Sequence, residues 1–156
     1  MRRSLQFSKM PSLRPLANTL LIASGFLALV GFADAAYLTA KHYFDIPLPC
    51  SITHGCETVL HSPYSMVGPI PLALFGVGFY LVVLFAATAL YTSGRVPKLF
   101  RIGFFLLTLA GFVMSVIFMS IQIFLIHAIC QYCALSALVS TLLFLCGLWY
   151  FRAERT

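Results

Sequence analysis

The sequence predicts an all-α integral membrane protein, a four-helix bundle with a long extracytoplasmic loop between spans 1 and 2. Three observations carry that expectation. Hydrophobic residues make up 61% of the 156 and charged residues only 9%, where a soluble domain carries about a quarter. The apolar residues fall into four blocks, each near the roughly 20 residues that a helix needs to cross about 30 Å of hydrocarbon. Nine of the ten Lys and Arg residues lie in three short segments outside or between those blocks. One domain fits this length. The expected division is a basic cytoplasmic tail over 1–15, a membrane domain over 16–152 and a short cytoplasmic tail over 153–156.

The elements follow in order. Arg2, Arg3, Lys9 and Arg14 precede a first span over 16–40, interrupted only by Asp34. Ala33-Asp34-Ala35 has the small-x-small form of a signal-peptidase site. The apolar run ahead of it, about 17 residues, exceeds a signal h-region, so an uncleaved span is expected. The loop 41–68 has one Lys and no Arg. Pro47 and Pro49 each fix φ ahead of Cys50, and Gly55 permits a tight bend between Cys50 and Cys56. Residues 57–62 read as a short helical piece, with Val59 and Leu60 dipping into the bundle mouth. Pro63, Gly68, Pro69 and Pro71 then break the chain. Such a loop is tolerated near membrane depth when protein covers it, so a lid over the bundle is expected.

The second span runs over 69–92. Gly94, Arg95, Pro97, Lys98 and Arg101 mark the next loop, over 93–101. The third span runs from 102 to about 129, with Gln122 and His127 near its end. The fourth runs from about Cys130 to Phe151, followed by Arg152 and Arg155. Transmembrane strands are not expected, because the runs do not alternate and an open sheet leaves backbone groups unsatisfied in lipid. The positive-inside bias places both termini in the cytoplasm and the loop 41–68 outside, with Tyr91, Trp149 and Tyr150 at the cytoplasmic interface. The +6 net charge is thus read as membrane orientation. A lipid membrane is the expected partner, and nucleic acid is not.

Four of the five cysteines form two pairs on that outer side, where disulfides persist. Cys50 and Cys56 lie in the loop, and Cys130-Gln131-Tyr132-Cys133 opens the fourth span. Two disulfide-capable pairs on one face suggest electron relay by successive thiolate attack. At a helix start, free N–H groups and the helix dipole favour a thiolate. Cys130 is expected nearer solvent, facing a mobile partner. Cys133, about 4.5 Å further along the helix, is expected to face a membrane-dissolved oxidant. Cys56 is placed to exchange with Cys130, and Cys50 to resolve the mixed disulfide and admit electrons. The competing reading is a structural Cys50–Cys56 staple, or a four-cysteine zinc site. No metal is expected, because structural zinc has no evident purpose at this face. Cys146, about 20 Å from Cys133 along the same helix, is left out as a packed apolar residue.

Asp34 is the one acidic residue inside a span, and an ionisable group in lipid is a functional candidate by default. Proton relay or polarisation of a bound carbonyl competes with a protonated Asp bonded to a neighbouring helix. His127 and His54 stand near the cysteines and are expected to have no role. Phe75, Tyr80, Phe112 and Phe118 either line a quinone pocket or pack the bundle.

The loop Cys50-Ser51-Ile52-Thr53-His54-Gly55-Cys56 is followed by Glu57-Thr58-Val59-Leu60. Ser62-x-Tyr64-Ser65, Gly68-x-Ile70-Pro71 and Leu74-Phe75-Gly76 come next, and Cys130-x-x-Cys133 completes the set. With Asp34-Ala35-Ala36-Tyr37-Leu38-Thr39 in the first span, this pattern resembles the vitamin K epoxide reductase (VKOR) family, in its bacterial branch. The resemblance covers nearly the whole chain beyond the basic tail. It implies a four-helix bundle holding a quinone (ubiquinone or menaquinone) as electron acceptor at its extracytoplasmic end. It also implies Cys133 as the thiol beside the quinone, Cys130 as its partner and Cys50 with Cys56 as the shuttle pair. Electrons then come from a thioredoxin-like or DsbA-like extracytoplasmic protein, and disulfide formation in exported proteins is supported, in a bacterial inner membrane by default. Many bacterial relatives carry a fused thioredoxin-like domain. This chain ends at Thr156, so either a separate partner or a fragment of a longer fusion is expected. Vertebrate relatives hold the substrate carbonyl with an amide near the position of Leu72. Leu72 lacks one, which argues against epoxide reduction and leaves Ser62 as an alternative donor. The rival readings are a DsbB-type oxidase, whose C-x-x-C lies in the first external loop, a haem-binding subunit, and a four-span transporter coupled through Asp34.

Overall fold

The computed structural model describes residues 13–45, 47, 49–50, 55–93 and 97–153. The basic residues Arg2, Arg3 and Lys9, the side chain of Arg14, residues 51–54 with His54, residues 94–96 with Gly94 and Arg95, and Arg155 lie outside the described residues. The chain forms α1 (Leu13–Phe44), α2 (Cys56–Leu60), a 3-10 turn (Pro63–Ser65), β1 (Met66–Val67), β2 (Ile70–Pro71), α3 (Leu72–Thr92), α4 (Lys98–Ile121) and α5 (Gln131–Ala153). α4 runs on into a π turn, Gln122–Ile126.

Four helices are long and apolar enough to cross a membrane, with mean hydropathy between 1.9 and 2.4. The chain is therefore a multi-pass membrane protein. A helix satisfies every backbone group within itself, which is what hydrocarbon demands of such sequences. Large apolar side chains point outward: Phe26, Phe85, Leu99, Phe124 and Trp149 are each more than half exposed. Inside, small residues let the helices approach closely. Gly31 of α1 receives the ring of Tyr80 from α3, and Gly147 of α5 receives Thr108 from α4. Tyr80 is 1% exposed. Its hydroxyl meets Ser136 Oγ at 2.7 Å and Ser140 Oγ at 3.1 Å, tying α3 to α5.

The helices overrun the apolar blocks. α1 continues past residue 40 to Phe44, and α4 begins at Lys98 rather than 102. Hydropathy marks the part in hydrocarbon, whereas the helix persists into the interface. The 32 residues of α1 extend about 48 Å, well beyond the hydrocarbon thickness. A two-stranded hairpin, which the sequence reading did not include, precedes α3 and pairs Met66 with Pro71 and Val67 with Ile70. Gly68 at φ +63° makes its two-residue turn, the position where such hairpins require glycine. The predicted helical piece over 57–62 is α2, one residue earlier at its start.

Candidate functional site

The alternation of spans brings 49–50, 55–71 and 127–130 to the same end of the bundle. There α2 lies as a lid, with Cys56 and Val59 buried against Leu38 and Cys130. Gly55 matters for space rather than for a bend. Its φ of −99° suits any residue. A Cβ there would stand 2.7 Å from the Ile129 carbonyl oxygen and 3.1 Å from the Ala128 methyl, so a larger residue lifts the lid from the 128–130 turn. The chain before Cys50 is latched separately. The Pro49 carbonyl accepts from Tyr132 Oη at 3.3 Å and Gln131 Nε2 at 3.4 Å. Lys41 Nζ donates to the Pro47 carbonyl at 3.2 Å and sits 5.4 Å over the Tyr37 ring, which in turn contacts Tyr132. The two middle residues of the C-x-x-C thus hold the backbone next to the loop cysteine.

All four paired cysteines converge here. Cys50 and Cys56 are bonded to each other, with Cα atoms 6.1 Å apart, while Cys130 and Cys133 are free thiols. The bonded pair offers no thiolate to a metal in this state. Access differs from the expectation. Cys130 is only 2% exposed and Cys56 is fully covered, because α2 seats one upon the other. Cys50 and Cys133 are half-buried. Cys50 is therefore the reachable sulfur of the loop pair, and Cys130 meets Cys56 rather than solvent.

Cys130 occupies the N-cap of α5: its carbonyl accepts the Ala134 N–H at 3.0 Å. Its sulfur stands where a capping oxygen would stand. Donation from the Cys133 thiol and from the backbone N–H groups of Cys133 and Tyr132 holds the Cys130 thiol down at about 7, against the opposing effect of burial and of Asp34. A substantial thiolate fraction at neutral pH follows, which is what exchange requires.

Beneath the lid lies a largely apolar cavity of about 510 Å³, a volume typical of small-molecule sites. Cys56, Cys130 and Cys133 all line it, as do Ser62, Phe75, Tyr80 and Phe118. Phe112 does not, and instead stacks on Phe144 at 4.9 Å. Ser62 donates its hydroxyl to the Val59 carbonyl at 2.7 Å, so it faces the cavity mainly as an acceptor. Leu72 lines the wall and offers no polar atom. Asp34 is 8% exposed, and its Oδ2 has no hydrogen-bond partner among the described residues. It is not part of the lining, although Ala35 is. Cys146 is half-buried far along α5, beside Ser24.

Two features escaped the sequence reading. Gln122, noted there only as a polar residue near the end of a span, is 4% exposed. Its Oε1 accepts the Cys130 N–H at 2.9 Å. The π turn that begins at Gln122 delivers it; such turns insert one residue and recur at functional sites. His127 closes that turn in the left-handed conformation, φ 54°, ψ 29°. The Ala128 N–H reaches back to the Gln122 carbonyl at 3.2 Å, a Schellman-like ending. The signal available in sequence was a lone amide in an apolar span, eight residues before Cys130.

A model of the Vitamin K epoxide reductase family matches residues 22–148, which takes in α1 from Ile22, the lid, the cavity and all four paired cysteines. No curated protein matches the chain.

Proposed function

Because this chain belongs to the vitamin K epoxide reductase family and is on that ground a membrane thiol–disulfide oxidoreductase, we propose that it carries electron pairs from an extracytoplasmic dithiol protein through Cys50–Cys56 and Cys130–Cys133 to a quinone. The observation that carries the reading is the seating of Cys56 on Cys130 above an apolar cavity that both free thiols line. A dithiol partner of thioredoxin-like or DsbA-like type attacks the half-exposed Cys50 and leaves as a disulfide, with Cys50 and Cys56 reduced. Cys56 thiolate then attacks Cys130 of the Cys130–Cys133 disulfide and expels Cys133 as thiolate. Cys50 resolves the Cys56–Cys130 bond. The result is a Cys50–Cys56 disulfide and a Cys130, Cys133 dithiol, the state described above.

Return of Cys130 and Cys133 to a disulfide releases two electrons and two protons. A quinone in the cavity accepts both pairs. Apolar walls at Phe75, Phe118 and Ala137 suit its ring and tail, and the sulfurs sit at the cavity's lid end. Ser62 and Phe75 are the residues proposed to contact it. Asp34 is proposed to act through its field on the thiols and not by contact. The lid and both cysteine pairs are assigned to the extracytoplasmic face of a bacterial inner membrane, with both termini in the cytoplasm. The transporter reading gains nothing from the cavity, which Asp34 does not line.

The order of the cysteines is tested by Cys50→Ala. Turnover driven by the protein partner is expected to fall at least about a hundredfold. Turnover driven by a small membrane-permeant dithiol, which reaches Cys130–Cys133 directly, is expected to keep a larger share. Equal loss of both activities contradicts the assigned order.

A further inference from the structure

Gln122 is bonded to the backbone of one of the two cysteines that the proposed relay uses last, and it lines the same cavity as both. A backbone N–H is only a donor, so the atom bonded to Cys130 N must be Oε1. That fixes the orientation of the amide, and the Nε2 end is turned elsewhere. Gln122 and Cys133 line the same cavity. The amide thus accepts from the backbone of one cysteine, which leaves its N–H end for a contact with the sulfur of the other across the cavity they share. Burial at 4% exposure strengthens such a contact, because no water competes for it.

We propose that Gln122 is a catalytic hydrogen-bond donor that stabilises negative charge on Cys133 Sγ, the sulfur turned to the cavity. The inference rests on the function proposed above and names a residue that the cysteine pattern does not contain. The chemistry explains the need. Attack of Cys56 on Cys130 breaks the Cys130–Cys133 bond, and the electron pair of that bond leaves on Cys133. The negative charge appears on a sulfur in an apolar cavity. The backbone donors of the helix start serve Cys130. Cys130 from the turn before α5 and Gln122 from the π turn line the cavity with Cys133. Of these, Gln122 is the neutral donor that remains when Cys130 is engaged with Cys56.

The test needs neither quinone nor protein partner. In a Cys130→Ser, Cys146→Ala background with the Cys50–Cys56 disulfide intact, Cys133 is the single free thiol. Its rate of alkylation by a small membrane-permeant iodoacetamide, and its ultraviolet thiolate absorbance at fixed alkaline pH, report the charge on that sulfur. Gln122→Leu removes both ends of the amide. Gln122→Glu keeps an oxygen for the residue-130 N–H and replaces the donor facing Cys133 with a second acceptor. Loss of a hydrogen bond to a charged group costs roughly a factor of ten or more, so both variants are expected to show at least a tenfold fall in alkylation rate and a matching fall in absorbance. Wild-type rates in Gln122→Glu overturn the proposal, because a merely structural Gln122 acts through the end that Glu preserves. Failure of quinone turnover in the unmodified protein leaves this result intact and bears on the proposed function alone.

Discussion

The double variant Cys50→Ala, Cys133→Ala is expected to accumulate a Cys56–Cys130 disulfide in most molecules after brief oxidation, seen as a linked peptide in the mass spectrum of the unreduced protein. The expectation comes directly from packing. Cys56 and Cys130 share one buried cluster with Leu38 and Val59, and the close fit of Gly55 against Ala128 and Ile129 sets α2 upon the turn. In the proposed cycle this bond is transient, because Cys50 or Cys133 attacks it as a neighbouring thiolate. With both absent, nothing nearby resolves it. Cys146 lies about 20 Å away along α5 and does not compete. The same protein carrying Gly55→Val is expected to trap several-fold less, since a branched side chain meets the backbone of Ile129. Recovery of Cys56 and Cys130 as free thiols would contradict the relay at its central joint.

The second large effect concerns the cavity. Ala137 lines it one turn beyond Cys133 on α5, so a side chain there projects to the same side as the thiol. Ala137→Phe is expected to raise the KM for quinone at least about tenfold, equivalent to about 1.4 kcal/mol of lost binding. Reduction of Cys50–Cys56 by an external dithiol is expected to proceed at the wild-type rate, because that exchange takes place on the outer side of the lid. The substitution adds bulk to open space rather than to a filled core, so it avoids most of the strain that overpacking brings. An unchanged KM with normal turnover would place the electron acceptor elsewhere.

Much of this was legible before the fold was known, for physical reasons particular to lipid. Hydrocarbon forbids unsatisfied backbone, so four apolar blocks had to become four helices. Four spans in turn bring the loop cysteines and the C-x-x-C to one end. The lid was legible too, from the prolines before Cys50 and the Val59 and Leu60 pair. The finer chemistry was not. Gln122 is separated from Cys130 by a π turn and a left-handed His127, and no periodicity in the apolar run announces an inserted residue. The burial of Cys130 reversed the expectation from helix position, since depth along α5 says nothing of what α2 covers. Gly55 was read as a bend, and its service is close approach between two segments distant in sequence. Tyr80 was one aromatic among several; its contacts with Ser136 and Ser140 depend on the α3–α5 crossing. Tyr132, at an x position of the motif, reaches Pro49 only because the loop folds back over α5.

The central claim is that an external dithiol and a quinone are coupled through Cys133. The most direct measurement follows both at once, with the purified protein in lipid nanodiscs supplied with a dithiol donor and a quinone. The wild type is expected to consume one quinone for each dithiol oxidised, and Cys133→Ala none above background although it remains folded. Undiminished quinone reduction in Cys133→Ala, or dithiol oxidation without quinone consumption in the wild type, would contradict the account.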